Sequence, residues 1–356
     1  MRHFANLFMV LPLAALLACK LGTNTAQNTT TTTAEPESIT AQTVKGKFTV
    51  GFYNVENLFD TEDDPKVDDA DFTPNGKYRW TEEVYQNKLS NMAKVISQLG
   101  DENGPELLGL VEVENKKATG DLLKQELLKS HKYKLVQEES KDARGVDVAF
   151  AYDPAVFTYV SHKAYTPKFD KEDKKTRDFL LVEGKVNGTK LYVIVNHFPS
   201  RREGQEASEK FRVQVAEQVK AVCDDIQKKD KQANILLMGD FNDDPADKSM
   251  NISLDAKAEP STDHFYNAMY QLHQSGKGSL EYKEKWNMFD QFIMSPNLAN
   301  GSKGKLQYVK NSANVYVQDW MKVGKIGKPK RFIHNDKPTK DGYSDHFPVY
   351  LQLETK

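Results

Sequence analysis

The residues best placed to do chemistry are polar side chains at the ends of apolar, strand-like runs. They are Asn54 in Phe52-Tyr53-Asn54-Val55, Glu112 in Leu110-Val111-Glu112-Val113, His197 in Val195-Asn196-His197-Phe198, Asp240 and Asn242 in Gly239-Asp240-Phe241-Asn242, Asp290 in Phe289-Asp290-Gln291-Phe292, and Asp345 with His346 in Ser344-Asp345-His346-Phe347. A rigid scaffold presents its reactive groups at such positions. Carboxylate and carboxamide oxygens are hard donors that suit magnesium first, with manganese and calcium as alternatives. Imidazoles near carboxylates exchange protons around neutral pH. A set of this composition can hold a hard cation and move protons beside it.

Those groups need strands to carry them. Apolar runs predict strands over Phe48 to Val55, Leu107 to Val113, Val146 to Tyr152, Phe179 to Val186, Leu191 to Asn196, Ile235 to Met238, Phe289 to Met294 and Phe347 to Leu353. Tyr85, Leu89, Met92, Ile96 and Leu99 recur at helical spacing, so Thr81 to Leu99 is an amphipathic helix with Thr81 as its N-cap and Glu82 and Glu83 in its first turn. Phe211, Val215, Val219, Val222 and Ile226 form a second apolar stripe, in which Cys223 reads as a small buried hydrophobe. Strands outnumber helices and are interrupted by them, which predicts an α/β sandwich with a mixed sheet.

The chain of 356 residues carries 49 basic and 51 acidic side chains, a net charge of −2, so bulk positive charge does not recruit a polyanion. A phosphate-bearing substrate has to be held locally. Residues 1–19 have the layout of a signal peptide, with Arg2, an apolar stretch from Phe4 to Ala18, and Leu16-Leu17-Ala18-Cys19 resembling a bacterial lipobox. Residues 20–44, rich in Thr and Asn, read as a solvated tether. Residues 45–356 then form one catalytic domain. Cys19 is the expected lipidation site, which implies a cell-envelope protein anchored to a bacterial membrane.

The order and company of the polar residues resemble the endonuclease/exonuclease/phosphatase superfamily from about Phe48 to Leu353. Gly239-Asp240-Phe241-Asn242 and Ser344-Asp345-His346-Phe347-Pro348-Val349 are its most specific signatures here. The resemblance implies a two-sheet, four-layer α/β sandwich of the deoxyribonuclease I-like type and a metal-dependent phosphodiesterase. It implies that Glu112 is the principal metal ligand, with Asn54 and Asp345 nearby. Asp240 would orient or deprotonate the attacking water, Asn242 would donate to phosphate or water, and His346 would contact the scissile phosphate with Asp290 fixing its tautomer. His197 would take the second histidine position of the deoxyribonuclease I and sphingomyelinase branches.

Arg201, Arg202 and Tyr152 are expected to contact substrate phosphate, with Arg144, Asp147 and Arg177 as weaker possibilities. Glu114, two positions from Glu112 on the same strand face, is the rival metal ligand. The expected substrate is nucleic acid, DNA or RNA, cleaved by an exported endonuclease-like enzyme; no protein partner is inferred. Sphingomyelinase-type lipid phosphodiester hydrolysis is the first alternative, followed by phosphomonoester hydrolysis and by a binding protein that has lost its chemistry.

Overall fold

The computed structural model describes residues 46–100, 103–170, 174–202, 204–301 and 305–356. The expected signal peptide, lipidation site and tether lie outside the described residues. Two seven-stranded mixed sheets carry the chain. In the first, the order is Leu306–Tyr308, Val349–Thr355, Gly46–Leu58, Leu107–Val113, Asp147–Tyr152 and Lys134–Gln137, with Asn314–Val315 also paired to Val349–Thr355. In the second it is Thr158–Tyr165, Phe179–Val186, Thr189–His197, Ile235–Asp240, Asp290–Met294, Phe265–Asn267 and Ala256–Lys257. Each sheet is built around a parallel pair, Gly46–Leu58 with Leu107–Val113 and Thr189–His197 with Ile235–Asp240.

The period-2 alternation of the second sheet shows how the layers stack. Val193, Val195, Leu236, Met238 and Phe292 pack into one core with Phe52, Leu108, Leu110 and Phe150 of the first sheet. Their neighbours Ile194, Ile235, Leu237 and Ile293 face the other way and pack with Val215, Val219 and Cys223 of the helix Gln205–Lys229. The helix Glu82–Ile96 places Leu89, Met92 and Ile96 against the first sheet. The result is the expected α/β/β/α sandwich. At Gly109 a Cβ would stand 2.5 Å from Met238 Sδ, so the absent side chain lets the two sheets approach.

Thr81 accepts from the Val84 amide as the N-cap, and helix Glu82–Ile96 ends before Leu99, which is buried in the turn that follows. Three strands run further than their apolar cores suggest. Thr189–His197 and Ile235–Asp240 extend through polar residues, and Gly46–Leu58 continues past Asn54. Asn196 and His197 pair with Gly239 and Asp240, and Leu58 pairs with Val113, across ladders that apolar patterning does not register.

Candidate active site

The site forms where the parallel pair of each sheet ends. In the first sheet, both strands bulge: the register shifts between Asn54 and Leu58 on one and between Val111 and Val113 on the other. Glu56, Asn57 and Glu112 adopt φ of 50°, 59° and 60°. Left-handed backbone at non-glycine residues costs energy and gathers where a side chain has to be re-aimed. The bulge separates the two glutamates that a regular strand would have kept on one face. Glu112 Oε2 accepts the Asn57 amide at 3.1 Å and its carboxylate lines the cavity, whereas Glu114 is buried and accepts the Asp60 amide at 2.7 Å. The structure thus brings Glu112, not its rival, to the site.

In the second sheet, Asp240 pairs in register with His197 on one side and Asp290 on the other. The turn that follows sets Asn242 at φ 50°, its amide donating to Asp240 Oδ1 at 2.9 Å and its Nδ2 to the Phe198 carbonyl at 3.0 Å. The two sheets meet through Asn54, whose Nδ2 donates to Asp240 Oδ2 at 3.0 Å while its Oδ1 accepts the Glu56 amide. Ser344 Oγ donates to the Asn54 carbonyl at 2.7 Å and thereby anchors the loop carrying Asp345 and His346.

Electrostatics pushes the two histidines in opposite directions. Burial opposes a charge on His346, but the carboxylates of Asp290 and Asp240 outweigh it and raise its pKa well above the ordinary value. Its Nδ1 is 2.7 Å from Asp290 Oδ2 and its Nε2 3.8 Å from Asp240 Oδ2. Burial, then Arg177, Arg144 and His346, hold His197 well below its ordinary value. His197 Nε2 stands 3.8 Å from Glu112 and 3.7 Å from Asp240, and its Nδ1 is buried without a protein partner. Burial raises Asp240 to about 7, against the favourable field of His346.

A cavity of about 920 Å³ opens over these groups, with Glu112, His197, Asp240, Asn242, Asp345 and His346 in its floor. Arg202 lines its wall and is exposed. Arg201 borders it too, but its guanidinium donates to the Asn242 carbonyl at 2.7 Å, to Asp243 at 2.9 Å and to Asp247, so it braces the 240s turn instead of standing over the opening. Tyr152 is a correction. It pairs with Leu107, at the end of the sheet opposite Glu112, and stacks near Phe157 and Tyr159. An antiparallel neighbour enters the site by its first residues, so the last residue of that strand points away from it. Asp147, at the near end, accepts the Ser140 amide and stays out of the cavity wall.

Two sets of oxygens bear on metal binding. Asp240, Asp290 and His346 offer ligand atoms within 4.8 Å of one another, yet His346 Nδ1 is already engaged by Asp290, which suits a proton relay. Glu112 and Asp345 present hard oxygens at the cavity floor, Glu112 with only one oxygen engaged by an amide, and this donor set fits a divalent cation. Asn54 could add a remaining Oδ1 lone pair.

Two supporting residues, Glu56 and Lys88, escape a motif-led reading. Glu56 is buried, accepts Arg331 Nε at 2.7 Å and the Phe332 amide at 2.9 Å, and is raised to about 7 chiefly by burial and by Asp345. Arg331 also reaches Asp345 at 3.3 Å. Lys88 is fully buried, donates to the Tyr343 carbonyl at 2.8 Å, and is lowered to about 8 by burial. One signal was available: Lys88 falls on the apolar face defined by Tyr85 and Met92, where a lysine is unusual unless something pairs with it.

The family comparison agrees with this geometry. A model of the endonuclease/exonuclease/phosphatase family matches residues 49–355. No curated protein sequence matches the chain. Among solved structures, a humanized TDP2 of D. rerio superposes with a TM-score of 0.53 at 14% identity, covering 87% of this chain and 99% of that one. An endonuclease/exonuclease/phosphatase family protein of Bacteroides thetaiotaomicron gives 0.53 at 16%, covering 86% and 97%. A mannosyl-6-phosphatase of the same organism gives 0.53 at 16%, covering 86% and 99%. At these identities the likeness concerns the fold, while the family match spans nearly all of both sheets. The chain belongs to the endonuclease/exonuclease/phosphatase family, hydrolases that act on phosphate esters and use divalent metal.

Proposed function

We propose that this protein hydrolyses phosphodiester bonds in nucleic acid, with endonuclease-like action at the cavity over Asp240. The observation that carries the reading is the placement of His346 and His197 on either side of one buried carboxylate, their Nε2 atoms 3.8 Å and 3.7 Å from Asp240 Oδ2, inside a cavity with basic walls. Held cationic by Asp290, His346 presents an Nε2 proton to a phosphate oxygen and stabilises the charge that gathers there. Above about pH 7 Asp240 is a carboxylate that takes the proton of the attacking water. As the oxygen–phosphorus bond forms, the ester bond to the leaving oxygen breaks, and that oxygen, departing with the bonding pair, takes a proton from solvent water. His197, neutral, and the Asn242 amide orient the water and the phosphate. A divalent ion held by Glu112 and Asp345, magnesium being our choice, would neutralise non-bridging oxygens. Arg202, Arg144 and Arg177 give the wall its positive charge.

Among the structural neighbours, a D. rerio TDP2 was solved with a single-strand DNA product, which supports a nucleic-acid substrate. The mannosyl-6-phosphatase supports a monoester reading on the same fold. A lipid phosphodiester draws on one observation, the hairpin Lys322–Pro329, where Val323 and Ile326 are exposed among lysines. The deciding experiment gives the purified protein DNA, RNA, sphingomyelin vesicles and a sugar phosphate, each with magnesium or with chelator. Metal-dependent shortening of DNA or RNA is expected; turnover of lipid or sugar phosphate alone would overturn the reading. We also propose that the protein is held at a bacterial envelope membrane through Cys19. Labelled palmitate should enter the wild type but not Cys19→Ala, and free release of the wild type into the medium would contradict the anchor.

A further inference from the structure

One wall of the cavity belongs to the hairpin formed by Leu280–Tyr282 and Lys285–Asn287, and neither catalysis nor metal binding uses it. Its residues alternate cleanly. Leu280, Tyr282, Lys285 and Asn287 line the cavity, while the cross-strand pair Glu281 and Trp286 faces away, Trp286 stacking on Phe347 at 5.9 Å. The hairpin is rooted in the catalytic elements. Leu280 bridges to His346, the Ser279 carbonyl accepts the Phe347 amide at 2.7 Å, and Ser279 Oγ accepts the Asp290 amide at 3.2 Å. Its tip turns tightly through Lys283 and Glu284, at φ of 51° and 65°. The root is therefore fixed relative to the His346 and Asp290 pair, and the tip projects a ring: Tyr282 is 63% exposed, alone among the exposed large hydrophobics of the described residues in lining this cavity. Lys283 Nζ lies 5.2 Å from the centre of that ring.

We propose that this hairpin is the substrate-recognition arm of the site, with Tyr282 stacking on an unpaired base next to the scissile phosphate and Lys283 and Lys285 holding the neighbouring phosphates of the strand. This rests on the nucleic-acid reading above. An exposed aromatic face on an arm rooted at the site, beside two cations, is what a sequence-tolerant contact with single-stranded nucleic acid needs, because every base has a π-face and every linkage a charge. A duplex keeps its bases stacked and would not use the ring.

The test measures steady-state cleavage of a short single-stranded oligonucleotide with magnesium, using wild type, Tyr282→Ala, Tyr282→Trp and Lys283→Ala/Lys285→Ala. Tyr282→Ala should raise KM by about 5- to 150-fold, the range for one lost base stack, with a much smaller change in kcat, and Tyr282→Trp should restore it. With an abasic nucleotide beside the cleaved linkage, the difference between wild type and Tyr282→Ala should disappear. The lysine pair should reduce the slope of log kcat/KM against log salt by about 1.4, or about 0.7 per phosphate contact on a single strand. If wild type cleaves the strand and Tyr282→Ala matches its KM within twofold, or the abasic substrate still separates them, the recognition arm is wrong while the nuclease reading stands. If wild type cleaves no nucleic acid, both fall.

Discussion

His346 Nδ1 lies 2.7 Å from Asp290 Oδ2, and both side chains are buried although 56 positions separate them in the chain. The other ring nitrogen faces Asp240. An imidazole that must offer one nitrogen to phosphate needs the other held by an acceptor, so the two residues form one functional unit. Asp290→Asn and His346→Ala should each lower kcat by about 10²- to 10⁴-fold, as expected when general acid–base help is lost. The double variant should be little worse than His346→Ala alone, because residues sharing one task are non-additive. Independent multiplication of the two losses in single-turnover kinetics would break the pair.

Metal response should separate the two glutamates that the bulge separates in space. Glu112→Gln should demand far more magnesium or manganese for activity than wild type, since it removes a hard anionic ligand. Glu114→Gln should leave the metal titration near wild type, because that carboxylate serves the Asp60 amide, a bond an amide oxygen can also accept. Excess chelator should abolish wild-type activity. The reverse ranking of the two variants in a metal titration would place the ion elsewhere.

Arg212 is fully buried on the long helix and meets Asp243 at 2.7 Å, while also donating to Ser208 Oγ and to the Gln205 carbonyl. Removing Arg212 leaves the buried Asp243 with Arg201 as its remaining cationic partner, 2.9 Å away. Arg212→Met should therefore destabilise the protein in a denaturant titration by less than the cost of a fully uncompensated buried charge, about 3 to 5 kcal/mol. It should also lower activity before it unfolds the protein, since Asp243 directly follows Asn242. A loss within experimental error of zero would show that Arg201 alone suffices for Asp243.

Asp147 offers a pH test at a carboxyl outside the cavity lining. Burial raises its carboxyl from 3.8 to about 7 in spite of the Ser140 amide. The folded state then holds a proton that the unfolded chain has released, so its contribution to stability is present below about pH 4 and is lost as pH rises to about 7. Asn can accept the same amide without a charge. Thermal midpoints of Asp147→Asn and wild type, compared from pH 4 to 8, should diverge upward in favour of the variant; a constant difference would refute the shift.

The sequence by itself determined the strands that carry the site, the capped helix beginning at Thr81, and the polar residues at the strand ends. Each of these is written in local periodicity or in a short motif, and local chain geometry is enough to express it. Tertiary structure decided what those residues face. Glu112 and Glu114 look equivalent in an alternating strand, and only the paired bulges, stabilised by contacts with the neighbouring strand, aim one at the cavity and the other at the Asp60 loop. Tyr152 looked available at a strand end, but the direction of its strand puts that end on the far side. Arg201 looked poised over a phosphate until the carboxylates of Asp243 and Asp247, brought in by the turn after Asn242, claimed its donors. Lys88 and Glu56, far apart in sequence, acquire shifted pKa values only when burial removes water from both. The alternation of a strand is a property of its own backbone, whereas the partner, the dielectric and the free lone pair of a side chain are set by segments that sequence proximity does not reveal.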